Sequence, residues 1–133
     1  MKKEVILFLG SIIVLLSLMS CDREMPGGDC LSYTTAQVTE VVGPNSVLVN
    51  QEIDLMVFYY LANGCGRIES LDETTSGKTT SISLKASYRG CVCATVILDG
   101  QISYKFKASQ TGVYYLRFLQ PNQTYLTDTI IVN

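Results

Sequence analysis

From Ser81 to Tyr88 the chain alternates without a break, Ile82, Leu84, Ala86 and Tyr88 falling on one side and Ser81, Ser83, Lys85 and Ser87 on the other. A period of two is the mark of an extended strand with one face turned to a core and one to water. The same period, with valine, isoleucine, threonine and tyrosine abundant, runs from Thr35 onward, and turn residues recur every eight to twelve positions or so. No window of helical length carries a 3.6-residue period. The chain is therefore expected to be all-β, with strands at 35–42, 47–61, 66–71, 79–88, 102–108, 112–119 and 125–132. Gly43-Pro44-Asn45 separates the first two, and Glu73-Thr-Thr-Ser-Gly77 is expected to be a hairpin turn. About seven short antiparallel strands make a sandwich.

The first residues follow another rule. Lys2 and Lys3 precede an apolar run, Val5 to Leu18, of 14 residues interrupted only by Gly10, Ser11 and Ser17. A membrane-spanning helix needs roughly 20 apolar residues, so the run suits the core of an export signal. It leads into Leu18-Met19-Ser20-Cys21, which resembles the lipobox of bacterial lipoproteins. That resemblance implies cleavage before Cys21 and diacylation of its sulfur; the alternative is ordinary secretion with Cys21 as a structural thiol. Two or three acyl chains hold a protein stably on a membrane where one does not.

Residues 22–29 contain Pro26, Gly27 and Gly28 and have no apolar period, so they read as a flexible tether. The expected organisation is a signal peptide at 1–20, the lipidated cysteine and tether at 21–33, and a single domain at 34–133. Asp22, Arg23 and Glu24 follow the cysteine directly; an aspartate there resembles an inner-membrane retention signal of many bacteria, whereas acidic residues there resemble a surface-export signal of Bacteroidota lipoproteins. The expected location is the cell envelope, at the outer membrane.

Gln110-Thr-Gly-Val-Tyr-Tyr-Leu-Arg-Phe118 places Gly112 two residues before Tyr114, with Tyr114, Leu116 and Phe118 pointing one way and Val113, Tyr115 and Arg117 the other. This resembles the tyrosine corner of immunoglobulin-like domains, which implies that Gly112 and Tyr114 are fold residues, the phenol bonding back to the backbone near the turn. With Pro44-Asn-Ser-Val-Leu-Val-Asn-Gln-Glu-Ile-Asp-Leu55, Asn63-Gly-Cys-Gly66, Gly90-Cys-Val-Cys93 and Thr127-Asp-Thr-Ile-Ile-Val132, the domain resembles small immunoglobulin-like β-sandwich lipoproteins of Bacteroidota. It departs from the antibody pattern, having no tryptophan and Leu116 where the second core cysteine would stand. The likeness is thus to architecture alone.

Of five cysteines, setting Cys21 aside leaves Cys30, Cys65, Cys91 and Cys93, which allow three connectivities. Following the strands up and down places all four at one pole. A Cys91–Cys93 bridge would close a strained loop, so each of these two is expected to pair with Cys30 or Cys65. A zinc site is disfavoured because structural sites usually have two Cys-x₂₋₄-Cys knuckles, and here there is one Cys-x-Cys with two singletons.

The chain has no histidine, which removes the usual nucleophile systems that depend on an imidazole base. Glu40, Glu52, Asp54, Glu69, Asp72, Glu73, Asp99 and Asp128 are spread out, no phosphate or calcium loop is present, and no cofactor is implied. The formal net charge of −2 and the lack of a basic cluster argue against nucleic acid. What remains is a non-catalytic, lipid-anchored module of the envelope acting by surface interaction, whether structural, adhesive or with an envelope protein, with an accessory glycan-binding role or a hydrolase built on a carboxylate pair as alternatives. On the second strand Met56, Phe58 and Tyr60 alternate with Ile53, Leu55, Val57 and Tyr59. One set faces the core; the other is either covered by the crossover from Arg89 to Gly100 or exposed to a partner. Tyr33, Tyr115 and Tyr125 are the expected outward rings, with Met56, Phe58, Tyr60, Tyr115 and Tyr125 as the candidate binding surface.

Overall fold

A computed structural model describes residues 30–133; the expected signal peptide, Cys21 and the expected tether up to Asp29 lie outside the described residues. Nine strands follow one another: β1 (Leu31–Thr35), β2 (Gln37–Val42), β3 (Ser46–Val47), β4 (Glu52–Leu61), β5 (Gly66–Ser76), β6 (Thr79–Arg89), β7 (Leu98–Lys107), β8 (Gly112–Leu119) and β9 (Tyr125–Val132). They form two sheets packed face to face, and the fold is the expected all-β sandwich. One sheet has the order β2-β4-β7; in the other, β5 pairs with β6, and β6 leads through β8 and β9 to β3.

The strand at the centre of the larger sheet is the one whose alternation is most regular. Ile82, Leu84 and Ala86 of β6 are buried and meet Leu55 and Val57 of β4, Leu116 and Phe118 of β8, and Ile130 of β9 in one core cluster. Two edge-to-face ring pairs cross between the sheets, Tyr104 with Phe118 at 6.2 Å and Phe106 with Tyr114 at 5.5 Å between centroids.

β5 covers one edge of β6 along its whole length. The other edge is divided: Thr79–Ile82 pair in parallel with β8, and Lys85–Arg89 pair antiparallel with β1. A second parallel ladder joins β3 to β9, so two of the ladders differ from the antiparallel expectation.

The strand count rises from seven to nine because two expected strands are broken. The first crosses from one sheet to the other at Ala36, whose amide donates to the Leu84 carbonyl at 2.8 Å. The crossing extends the chain's order back to Leu31, so residues 31–33, expected in the tether, stand in β1. The second breaks at residues 48–51, where Asn50 takes a positive φ of 63° and the Gln51 amide donates to the Leu48 carbonyl. Two further boundaries move: β5 runs on through Glu73 to Ser76, and β7 begins at Leu98. The hairpin turn is then Gly77-Lys78, with Gly77 at φ +59°.

At Gly112, φ is +134° and a Cβ would lie 2.2 Å from Lys78 Nζ, so only glycine fits the backbone here without strain. Tyr114 Oη donates to the Gln110 carbonyl at 3.0 Å, the bond a tyrosine corner requires. Tyr114→Phe removes that bond and keeps the ring; it should lower unfolding free energy by about 0.5–1.5 kcal/mol, read from urea denaturation with an unchanged slope.

Candidate functional site

Three surfaces carry the chemistry. The first is the pole where β4 hands over to β5 and β6 ends. Cys30 is bonded to Cys91 and Cys65 to Cys93, with Cα–Cα distances of 4.9 and 5.5 Å. The four cysteines therefore do gather at one pole. Backbone bonds reinforce them: the Gly90 amide donates to the Cys30 carbonyl at 2.8 Å, and the Gly64 amide to the Ala94 carbonyl at 2.9 Å. The Ala62 amide donates to Tyr88 Oη at 3.0 Å. Beside the first bridge lies an open groove of about 600 Å³, lined by Leu31, Thr34, Asn63 and Tyr88. A second depression of about 250 Å³ shares Thr34, Ala62 and Tyr88 with it and reaches Tyr60 and Pro121. The crossover at 90–97 holds Val92, Val96 and Ile97, all exposed, Val92 at 95%.

The second surface is the outer face of the three-stranded sheet. Ile53, Leu55 and Val57 are buried, while Met56, Phe58 and Tyr60 point away from the core and are half-buried. Their cross-strand neighbours are Val42, Glu40 and Gln37 on β2 and Ser103, Gln101 and Asp99 on β7. The end of the crossover lies beside this row and not over it. Its last residues, Leu98 to Gly100, are part of β7 and pair edge to edge with Leu61 to Tyr59, which places them beside β4. Further along the same face Lys105 Nζ sits 2.9 Å from Glu52 and 3.8 Å from Asp54, an exposed arrangement worth little in stability.

The third surface is the outer face of the larger sheet. Tyr115, Arg117 and Tyr125 share it, and the Arg117 guanidinium lies 4.0 Å from the centroid of the Tyr125 ring. Next to Tyr125 is a shallow depression of about 160 Å³ lined by Asp72, Thr74, Ser81, Ser83 and Leu119. Lys85 lies 3.0 Å from Asp72; its hydrogen bond, with one from Ser70, holds the Asp72 carboxyl below the usual carboxylate range.

The candidate surface of Met56, Phe58, Tyr60, Tyr115 and Tyr125 is thereby split, the first three on one outer face of the sandwich and the last two on the opposite one. Alternation along a strand tells inside from outside but not which sheet a strand joins, so five outward residues read as one set. Tyr33, exposed at 62%, stands opposite Ser87 near the far end of β6 from Tyr115. Arg117, Asp72, Ser81 and Ser83 were not singled out in the sequence, since each reads as an ordinary outward polar position. The apolar crossover did leave a trace: residues 90–98 contain no charged side chain.

At the open side of the sandwich β5 and β7 approach each other. Tyr104 Oη donates to Glu73 Oε2 at 2.8 Å, so an inward carboxylate of one sheet caps a buried phenol of the other. Glu69, the extra residue of a bulge in β5, is hydrogen-bonded by the Ser87 hydroxyl. Among the described residues no group of three or more acidic or cysteine side chains could hold a metal ion.

Fold and pole together define a small β-sandwich with β1 pinned by one disulfide and the crossover tied down by a second. Residues 55–132 match the ORF11 beta-sandwich domain family, which is more than half the chain, and the protein belongs to that family. The match begins within β4 and so includes Cys65, Cys91 and Cys93 but neither Cys30 nor the strand behind it. No curated protein and no solved structure matches the chain.

Burial, and then the hydrogen bond to Glu73, push the Tyr104 phenol well above its ordinary value of 10.0. An acid whose folded pKa is raised contributes stability that is fully present below its unfolded pKa. As pH rises past about 10 the unfolded chain ionises first and that stability is lost. Urea midpoints measured between about pH 9 and 11 should therefore fall more steeply in the wild-type protein than in Tyr104→Phe.

Proposed function

We propose that this chain is a lipid-anchored, non-catalytic module of the bacterial cell envelope, at the outer membrane, acting through its surfaces on a protein partner. The observation that carries the reading is the pole. All four cysteines of the sandwich are paired, a state that an exported compartment sustains, and the strand that Cys30 pins begins just after the lipobox-like Leu18-Met19-Ser20-Cys21 and the short segment that follows it. The carboxylates support a non-catalytic role: Glu52 and Asp54 attend Lys105, Asp72 attends Lys85, and Glu73 and Glu69 accept from Tyr104 and Ser87. The row of Met56, Phe58 and Tyr60 offers apolar contact within a polar frame, which suits a protein partner. Mass spectrometry of protein purified from membranes should find Cys21 as the first residue, carrying diacylglycerol on its sulfur. Cys21→Ala should leave the chain unlipidated and released from the membrane fraction. A mature chain that starts elsewhere without lipid overturns the anchoring.

A second reading has its own observation. Tyr125, braced by Arg117, stands at the rim of a depression with Asp72, Thr74, Ser81 and Ser83, an aromatic plane beside hydroxyl and carboxylate groups that suits a sugar ring. On a glycan array the wild type should then retain envelope polysaccharides that Tyr125→Ala loses by roughly tenfold in affinity, about 1.4 kcal/mol. Equal retention by both removes this reading.

A further inference from the structure

The crossover between β6 and β7 is an anomaly for a water-facing loop. Val92 is exposed at 95%, Ile97 at 65% and Val96 at 48%, and Leu31 of the neighbouring strand adds a fourth exposed aliphatic side chain. No residue from Gly90 to Leu98 is charged. The loop is also held in place: Cys91 and Cys93, on either side of Val92, are bonded to two different elements, and the Val96 amide donates to the Ala94 carbonyl. An apolar side chain presented so fully, on a segment already fixed, loses little conformational freedom when something covers it. Exposed apolar groups concentrated on one short segment point to contact with a protein or a membrane.

The covalent chain selects the membrane. Cys21 is nine positions before Cys30 in the sequence, and at about 3.3–3.6 Å per residue the connecting segment reaches at most roughly 30 Å. Cys30 is itself bonded to Cys91, the neighbour of Val92. A lipid on Cys21 therefore keeps this pole near the bilayer, whereas the opposite pole, with Leu48 and Gly77, is a full strand length further away. Charge at the near pole is mixed, with Arg67 and Arg89 against Asp99 and Glu69, so apolar insertion and not attraction to anionic lipid is the relevant force.

We propose that residues 90–97 form a membrane-contact loop: once Cys21 is lipidated, Val92, Val96 and Ile97 enter the boundary between headgroups and acyl chains and seat the sandwich on its disulfide pole. The proposal rests on the anchored reading given above. Seated in this way, the domain turns the pole with Leu48 and Gly77 outward and leaves both outer sheet faces open.

The absence of tryptophan makes the test direct. Full-length Val92→Trp, Ile97→Trp and Leu48→Trp are each purified from membranes, checked for Cys21 lipid by mass spectrometry and for lack of free thiols, and placed in zwitterionic phosphatidylcholine vesicles. Interfacial groups sit about 5–10 Å deep, so acyl-brominated lipid should quench Val92→Trp and Ile97→Trp about twofold or more, with blue-shifted emission, and leave Leu48→Trp unchanged. Two positions guard against one variant folding poorly. Lipidated protein in which all three tryptophans stay equally unquenched overturns the proposal and spares the anchor. Blue-shifted emission without bromine quenching also overturns it, by showing the loop covered by a second copy of the chain. A chain without lipid on Cys21 overturns the anchored reading and this inference with it.

Discussion

The divided edge of β6 is the constraint on which the rest of the architecture depends. β8 runs parallel to β6 only as far as Phe118 opposite Ile82, and the remaining hydrogen-bonding groups of β6 from Lys85 to Arg89 would be an open edge. β1 fills it. To do so the chain must leave one sheet and enter the other at Ala36, and that switch brings Cys30 against Gly90 and Cys91. The first disulfide is thus a consequence of strand order: it fastens the outer end of the strand that completes the larger sheet. Native bridges in small exported domains are typically worth roughly 2–5 kcal/mol, a large share of what a single core of this size supplies.

What could be read beforehand follows the same physics. The alternation of β6 and β8, and the pole shared by the four cysteines, depend on side chains whose positions are set by local periodicity and by counting strands up and down, and these hold except at Ser87, which the alternation turns to water and the structure buries against Glu69. The tyrosine corner is legible because it is a local bond, Tyr114 to Gln110. Contacts fixed by a distant partner are not legible. β5 continues through Asp72, Glu73, Thr74, Thr75 and Ser76, a stretch with the composition of a turn, because β6 supplies a full ladder opposite it. The switch at Ala36 leaves no mark in the sequence, since Ala36 and Val38 are buried two apart as in one continuous strand while Leu31 to Thr34 are exposed. The same limit separates Met56, Phe58 and Tyr60 from Tyr115 and Tyr125, and hides the association of Arg117 and Asp72 with Tyr125.

Neither outer sheet face has another strand layered on it among the described residues. One face carries a half-buried apolar row between mostly polar edges, the other a tyrosine and arginine row beside small hydroxyl residues. A sandwich with chemically different faces can meet two kinds of partner without a cleft, and its specificity then lies in the outward positions of strands whose inward positions are committed to the core. That division also explains why the chain gives so little away: core demands fix one residue in two, and the others are free to vary with the partner.

The crossover at 90–97 breaks this rule, and the reason is geometric. Cys91 and Cys93 are both drawn toward the body of the domain, one to the start of β1 and the other to the turn before β5. The residue between two bridged cysteines is left facing out, away from both bonds. A polar residue would cost nothing there. Valine at 95% exposure, followed by two more exposed aliphatic residues, is a composition that solvent does not ask for and the fold does not use. If Cys21 carries lipid as proposed above, an apolar phase lies within reach of this loop, and that is the environment in which the choice has a physical basis.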